Sequence, residues 1–149
     1  MANVGKWNTP SAITTVLSTE MDGLLGMTVP SAIYDNSVNL DMYCDIEVFL
    51  PAIASNVSRQ GSSTIFILQA VDGTNFPAPS DSDLRLTDAQ ILCTIPAVLT
   101  TTSDQRYVVR NVMLPPAKIK FQFDNQESLV LAGSGNTVKV ITYDAQGNG

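Results

Sequence analysis

Leu40-Asp41-Met42-Tyr43-Cys44-Asp45-Ile46-Glu47-Val48-Phe49-Leu50 changes character at every step. Successive side chains of a strand point to opposite faces, so Leu40, Met42, Cys44, Ile46, Val48 and Leu50 share one face. Asp41, Tyr43, Asp45, Glu47 and Phe49 share the other. Helical spacing would scatter both sets around the axis. The stretch therefore reads as a half-buried strand of an antiparallel sheet, its carboxylate-bearing face turned to water.

Downstream, Thr64 to Val71 is apolar on both sides, which fits a central strand or one between two layers. Asp72-Gly73-Thr74-Asn75 is turn chemistry, and Pro77 to Asp83 prolongs it into a surface loop. Ile91 to Ile95, closed by Pro96, reads as a short strand, and Arg106 to Leu114 as a longer one ended by Pro115-Pro116. Ile119, Phe121 and Phe123 alternate with Lys118, Lys120 and Gln122 in the next. A final pair, Leu129 to Leu131 and Thr137 to Tyr143, is expected to join through Gly133-Ser134-Gly135-Asn136. Upstream, Ile13, Val16, Leu17, Met21 and Leu24 recur at three- and four-residue steps after Thr9-Pro10-Ser11, which predicts one short helix ending near Gly23 or Gly26. The β-branched run Ile13 to Val16 leaves an extended arm over Ile13 to Leu17 as the alternative. The expected architecture is all-β: an antiparallel β-sandwich, jelly-roll-like, with an N-terminal arm or short helix over residues 1–30 and the sandwich over 31–149.

Composition narrows the chemistry. The 149 residues are 44% hydrophobic and only 15% charged, so Ser, Thr, Asn and Gln must finish much of the surface. The net charge of -6 argues against nucleic acid as a partner. There is no His, which excludes Ser-His-Asp and Cys-His nucleophile pairs and His-ligated zinc. The N-terminal residues do not follow the pattern of a secretory signal, so synthesis in a cytoplasm is the expectation. No apolar run is long enough for a membrane span. Cys44 and Cys93 sit in apolar strands and are read as small buried hydrophobes, and Asn56-Val57-Ser58 as a chance match to a glycosylation acceptor.

Catalytic patterns are weak. Gly133-Ser134-Gly135 lacks the spacing and the base of a nucleophile elbow and reads as a turn. Lys118, Lys120 and Lys139 offer no spacing that singles out a Ser–Lys dyad. Asp41, Asp45 and Glu47 have the separation of paired carboxylates, as does any strand with acidic outward positions. Asp72, Asp81 and Asp83 lack the register of a calcium loop. Trp7, Tyr43, Phe49, Phe76 and Tyr107 could supply a sugar-stacking platform only if they shared a face. No enzyme activity, cofactor or metal is expected.

Three runs carry a resemblance: Leu68-Gln-Ala-Val-Asp72-Gly73-Thr74-Asn75-Phe76-Pro77, Gln105 to Phe121 with its central Pro115-Pro116, and Gly133 to Lys139. With Thr15 to Glu20, Tyr34-Asp35-Asn36 and Asp45 to Val48, they resemble, in order, a family of small virion structural proteins of tailed bacteriophages. Ile119 and Gln126-Glu127-Ser128 depart from that pattern. The resemblance implies a β-sandwich that decorates or cements the phage head, with the major capsid protein and its own copies, as a homotrimer or another homo-oligomer, for partners. Related positions in neck, tail or baseplate, or a carbohydrate-binding module of a tail component, are the alternatives. Val4, Trp7, Leu24, Leu25, Met27 and Val29 are the residues an N-terminal arm would bury at a protein interface. The same residue types would equally cover an open end of the chain's own sandwich.

Overall fold

A computed structural model describes residues 6–7, 9–53, 61–77, 89–96, 102–126, 128 and 130–146. In chain order the strands are β1 (Lys6–Trp7), β2 (Thr14–Leu17), β3 (Thr28–Pro30), β4 (Tyr34–Asp35), β5 (Tyr43–Leu50), β6 (Ser62–Gln69), β7 (Ala89–Pro96), β8 (Gln105–Met113), β9 (Lys118–Asn125), β10 (Thr137–Tyr143) and β11 (Ala145–Gln146). Sheet I runs β2-β10-β5-β8 and sheet II runs β3-β9-β6-β7, with β4 also beside β9. The antiparallel pairs β2/β10, β3/β9, β5/β8 and β6/β7 are the rungs of a ribbon folded over on itself. The ladders β10/β5 and β9/β6 then complete each sheet. This is the strand order of a jelly roll, as the sequence reading anticipates.

The alternation in β5 decides which way it faces. Cys44, Ile46, Val48 and Leu50 are buried and point at sheet II, where Ile65, Ile67, Ile119, Phe121 and Phe123 meet them. Phe121 and Phe123 are fully buried, and the Tyr34 ring stands edge-on to Phe121 at 6.0 Å. Strand β6 explains the doubly apolar stretch of sequence. Ile65 and Ile67 belong to the core between the sheets, whereas Phe66 and Leu68 point outward and are buried as well. Gln122 lies beside Phe66 on that outward face, 0% exposed, with neither amide atom hydrogen-bonded. Burying an amide without partners costs free energy that an apolar side chain of similar volume does not incur. Gln122→Met is therefore expected to stabilise the protein by about 1–2 kcal/mol, read as a rise in the urea midpoint; a loss would overturn this account.

Two sequence expectations are corrected. The helix over Thr9 to Leu25 is replaced by β2 and a single 3-10 turn, Thr19–Met21. The β-branched Thr14, Thr15 and Val16 favour the extended chain, which pairs with β10 around a bulge at Val138/Lys139. Residues 14–17 and 28–30 of the expected arm are thus strands of the two sheets. The expected strand over Leu129 to Leu131 is absent at Val130 and Leu131, which lie in a connection. Leu131 turns into the core there, and its backbone N–H donates to Leu24 O at 3.0 Å.

Asparagines pin the connections at both ends of the sandwich. Asn125 Nδ2 donates to Leu24 O, and Asn136 Nδ2 donates to Asp22 Oδ1 and Ala132 O, tying the β2–β3 and β9–β10 connections together. At the opposite end the one-turn helix α1 (Asn36–Asn39) is capped by Asp35, whose carboxylate accepts from Ser37 N. Asn36, 0% exposed, bonds Asp41 and Pro115 across that end.

Candidate functional site: the outward face of sheet I

The cross-strand register of sheet I arranges its outward side chains in rows. Met113, Tyr43 and Tyr143 form one row across β8, β5 and β10. The next holds Arg110, Asp45 and Ile141, the third Val108, Glu47, Lys139 and Thr15, and the fourth Arg106, Phe49 and Thr137. Every outward residue of β5 is only half-buried. Tyr, Met, Phe and Arg are the types that interface cores favour over ordinary surface.

Local chemistry fixes several of these side chains. A bulge sets Asp45 against both Arg110 and Asn111, and Asn111 takes a left-handed φ of 58°. Asn tolerates that conformation better than most residues. The turned backbone lets Asn111 N donate to Asp45 Oδ1 at 3.0 Å. The Tyr143 hydroxyl donates to the same oxygen at 2.8 Å and lies 2.8 Å from the Asn111 side-chain amide. Partial burial, then the hydrogen bond to Asp45 and its charge, push the Tyr143 hydroxyl up to about 12. Tyr43 and Tyr143 stack at 6.0 Å with 22° between their planes. One row lower, Arg106 reaches across to Glu47 at 2.5 Å and covers the Phe49 ring, its guanidinium 4.7 Å from the centroid. Arg110 and Lys139 have no ion-pair partner among the described residues. Between them a shallow depression of about 480 Å³ opens, with Ile13, Val108 and Ile141 among its walls.

The acidic residues of β5 are thus engaged in holding neighbours: Asp45 in a bulge network, Glu47 in an ion pair. Asp41 lies before the strand, its N–H donating to Asn36 Oδ1. Among the described residues no group of three or more His, Cys, Asp or Glu side chains is placed to hold a metal ion. Asp72 instead accepts from Thr74 N, Asn75 N and Asn75 Nδ2, which holds its carboxyl below the usual range; Asp81 and Asp83 lie outside the described residues. Cys44 is buried in sheet I, its thiol pushed up to about 12, and Cys93 is half-buried in sheet II; both are free. No helix is long and apolar enough to cross a membrane.

The arm residues disperse. Leu24 is 7% exposed and belongs to the core, and Val29 is half-buried against it, so both serve the chain's own sandwich. Leu25 and Met27 are exposed in the β2–β3 connection. The Trp7 backbone pairs with Ala145 in the separate β1/β11 ladder, and Val4 lies outside the described residues. The outward face of sheet I was not singled out from the sequence as a contact surface. The signal available was the aromatic and acidic half of the Leu40–Leu50 alternation, but its cross-strand neighbours come from segments some 60 to 100 residues away. No protein-family model matches the chain, and no curated protein matches it.

Proposed function

We propose that this chain is a virion structural protein of a tailed bacteriophage, a decoration or cement protein that attaches to the outer surface of the head and stabilises it through protein–protein contacts. The observation that carries the reading is the outward face of sheet I: a rigid jelly-roll sheet presenting half-buried aromatic, aliphatic and charged side chains in one surface. The low charge fraction and the ordered resemblance of the sequence support the same reading. The depression has aliphatic side chains in its walls, which suits a protein partner better than a sugar, whose rings stack on aromatics.

The test is the copy number of this chain relative to the major capsid protein in purified particles, by quantitative mass spectrometry. Hundreds of copies in simple proportion to the capsid subunits are expected. A dozen or so would move the protein to the neck, tail or baseplate, and absence from the particle would overturn the virion role altogether.

A further inference from the structure

The charges on the outward face of sheet I alternate across the strands. The basic Lys139 stands on β10, the acidic Asp45 and Glu47 on the central β5, and the basic Arg106 and Arg110 on β8. Glu47 and Lys139 are direct register partners on neighbouring strands. Displaced sideways by one strand, the pattern brings Glu47 over Lys139, while Asp45 meets Ile141 and the arginines of β8 meet the uncharged β2. A two-fold axis along the strands, lying between β5 and β10, produces that displacement, because it exchanges β5 of one copy with β10 of the other.

We propose that the outward face of sheet I is self-complementary and joins two copies of this chain face to face about that axis. Glu47 of each copy then lies over Lys139 of the other, and Tyr43 over Tyr143. The order β2-β10-β5-β8 places β2 of one copy over β8 of the other, so Thr15 meets Val108. An isologous contact requires this reciprocity, residue i meeting j and j meeting i. A two-fold axis across the strands would instead set the acidic column of β5 against itself, which like-charge repulsion disfavours. The proposal rests on reading this face as a protein-contact surface and assigns it to a second copy, which leaves attachment to the head to other surfaces of the dimer.

Size sets the strength. Four strands about 4.8 Å apart and about seven residues long, at roughly 3.3 Å per residue, cover about 440 Å² on each copy. That lies at the low end of specific interfaces, so a dimer with a dissociation constant in the micromolar range is expected, weakened by salt.

Sedimentation equilibrium of the isolated protein, from about 1 µM to about 500 µM, tests this. The wild type is expected to dimerise, and raising the salt from about 0.05 M to about 0.5 M to weaken it. Lys139→Glu and Glu47→Lys each create two like-charge contacts and are each expected to weaken self-association at least about tenfold. An equimolar mixture of the two variants has two opposite-charge contacts, one original and one with its signs reversed, and is expected to dimerise, with unchanged circular dichroism confirming the fold of each. A wild type that stays monomeric, a dimer indifferent to either substitution, or a mixture that stays monomeric would overturn the proposal. The measurement needs no particle, so its failure is separate from a failure of the virion role, which the copy number decides.

Discussion

Phe121→Ala is expected to cost about 3–5 kcal/mol, the largest loss from any single truncation considered for this chain. The ring is fully buried between the sheets, on a central strand, and Tyr34 stands edge-on against it. Removing it forfeits the transfer free energy of the ring and leaves a cavity that strands held by ladders on both sides cannot close. A domain of this size has roughly 5–15 kcal/mol in total, so the variant is expected to lose about a fifth or more of its stability. Urea denaturation of wild type and variant, compared through midpoint and slope, measures it. Phe49→Ala is the internal comparison, because that ring lies half-buried on the outward face under Arg106. Equal losses at the two positions would contradict the placement of the core.

Asn36→Ala is expected to cost about 2–3 kcal/mol although it removes hardly any apolar area. The side-chain amide donates to Asp41 O and Pro115 O, both at 2.9 Å, while its oxygen accepts from Asp41 N at 3.1 Å. Alanine leaves two carbonyls and one N–H without these partners at a site that is 0% exposed. Asn36→Asp separates charge from shape: it keeps the acceptor but loses both donors and sets a carboxylate against two carbonyls, so it is expected to be at least as damaging. A loss below about 0.5 kcal/mol for Asn36→Ala would mean that water replaces these bonds and that the end of the sandwich is not pinned here. The loss is expected to be accompanied by faster hydrogen exchange at Met42 and Leu114, whose backbones meet beside Asn36.

The jelly roll was legible because its information is local. Period-two alternation in Tyr43–Leu50, Lys118–Phe123 and Thr137–Tyr143 names both the strands and their inward faces, and Ile46, Val48, Ile119, Phe121 and Val140 are buried accordingly, whereas Leu40 and Met42, read on the same inward face, precede β5 and are exposed. Pro51, Pro96 and Pro115-Pro116 mark the breaks, since proline cannot continue a ladder. The helical reading of the N-terminal segment failed, while the extended alternative over Ile13 to Leu17 agrees with β2, because three- and four-residue spacing of apolar side chains has two causes. In Ile13 to Leu24 they are spaced that way because Leu17 turns inward from β2, Met21 from the 3-10 turn and Leu24 from the connection that follows, while Ile13 stays exposed.

What the sequence determined by itself is therefore the all-β class, the strand segments and which side of each is apolar, because backbone geometry converts residue order directly into faces. What only the tertiary structure decided is the company each face keeps. The pairing of β5 with β10 and β8 sets Glu47 beside Lys139 and Asp45 beside Asn111 and Tyr143. The ends of the sandwich brought Asn36 to Pro115 and Asn136 to Asp22. Those partners are far apart in the chain, and no local pattern encodes them, because in a jelly roll the strands that pair come mostly from opposite ends of the folded ribbon.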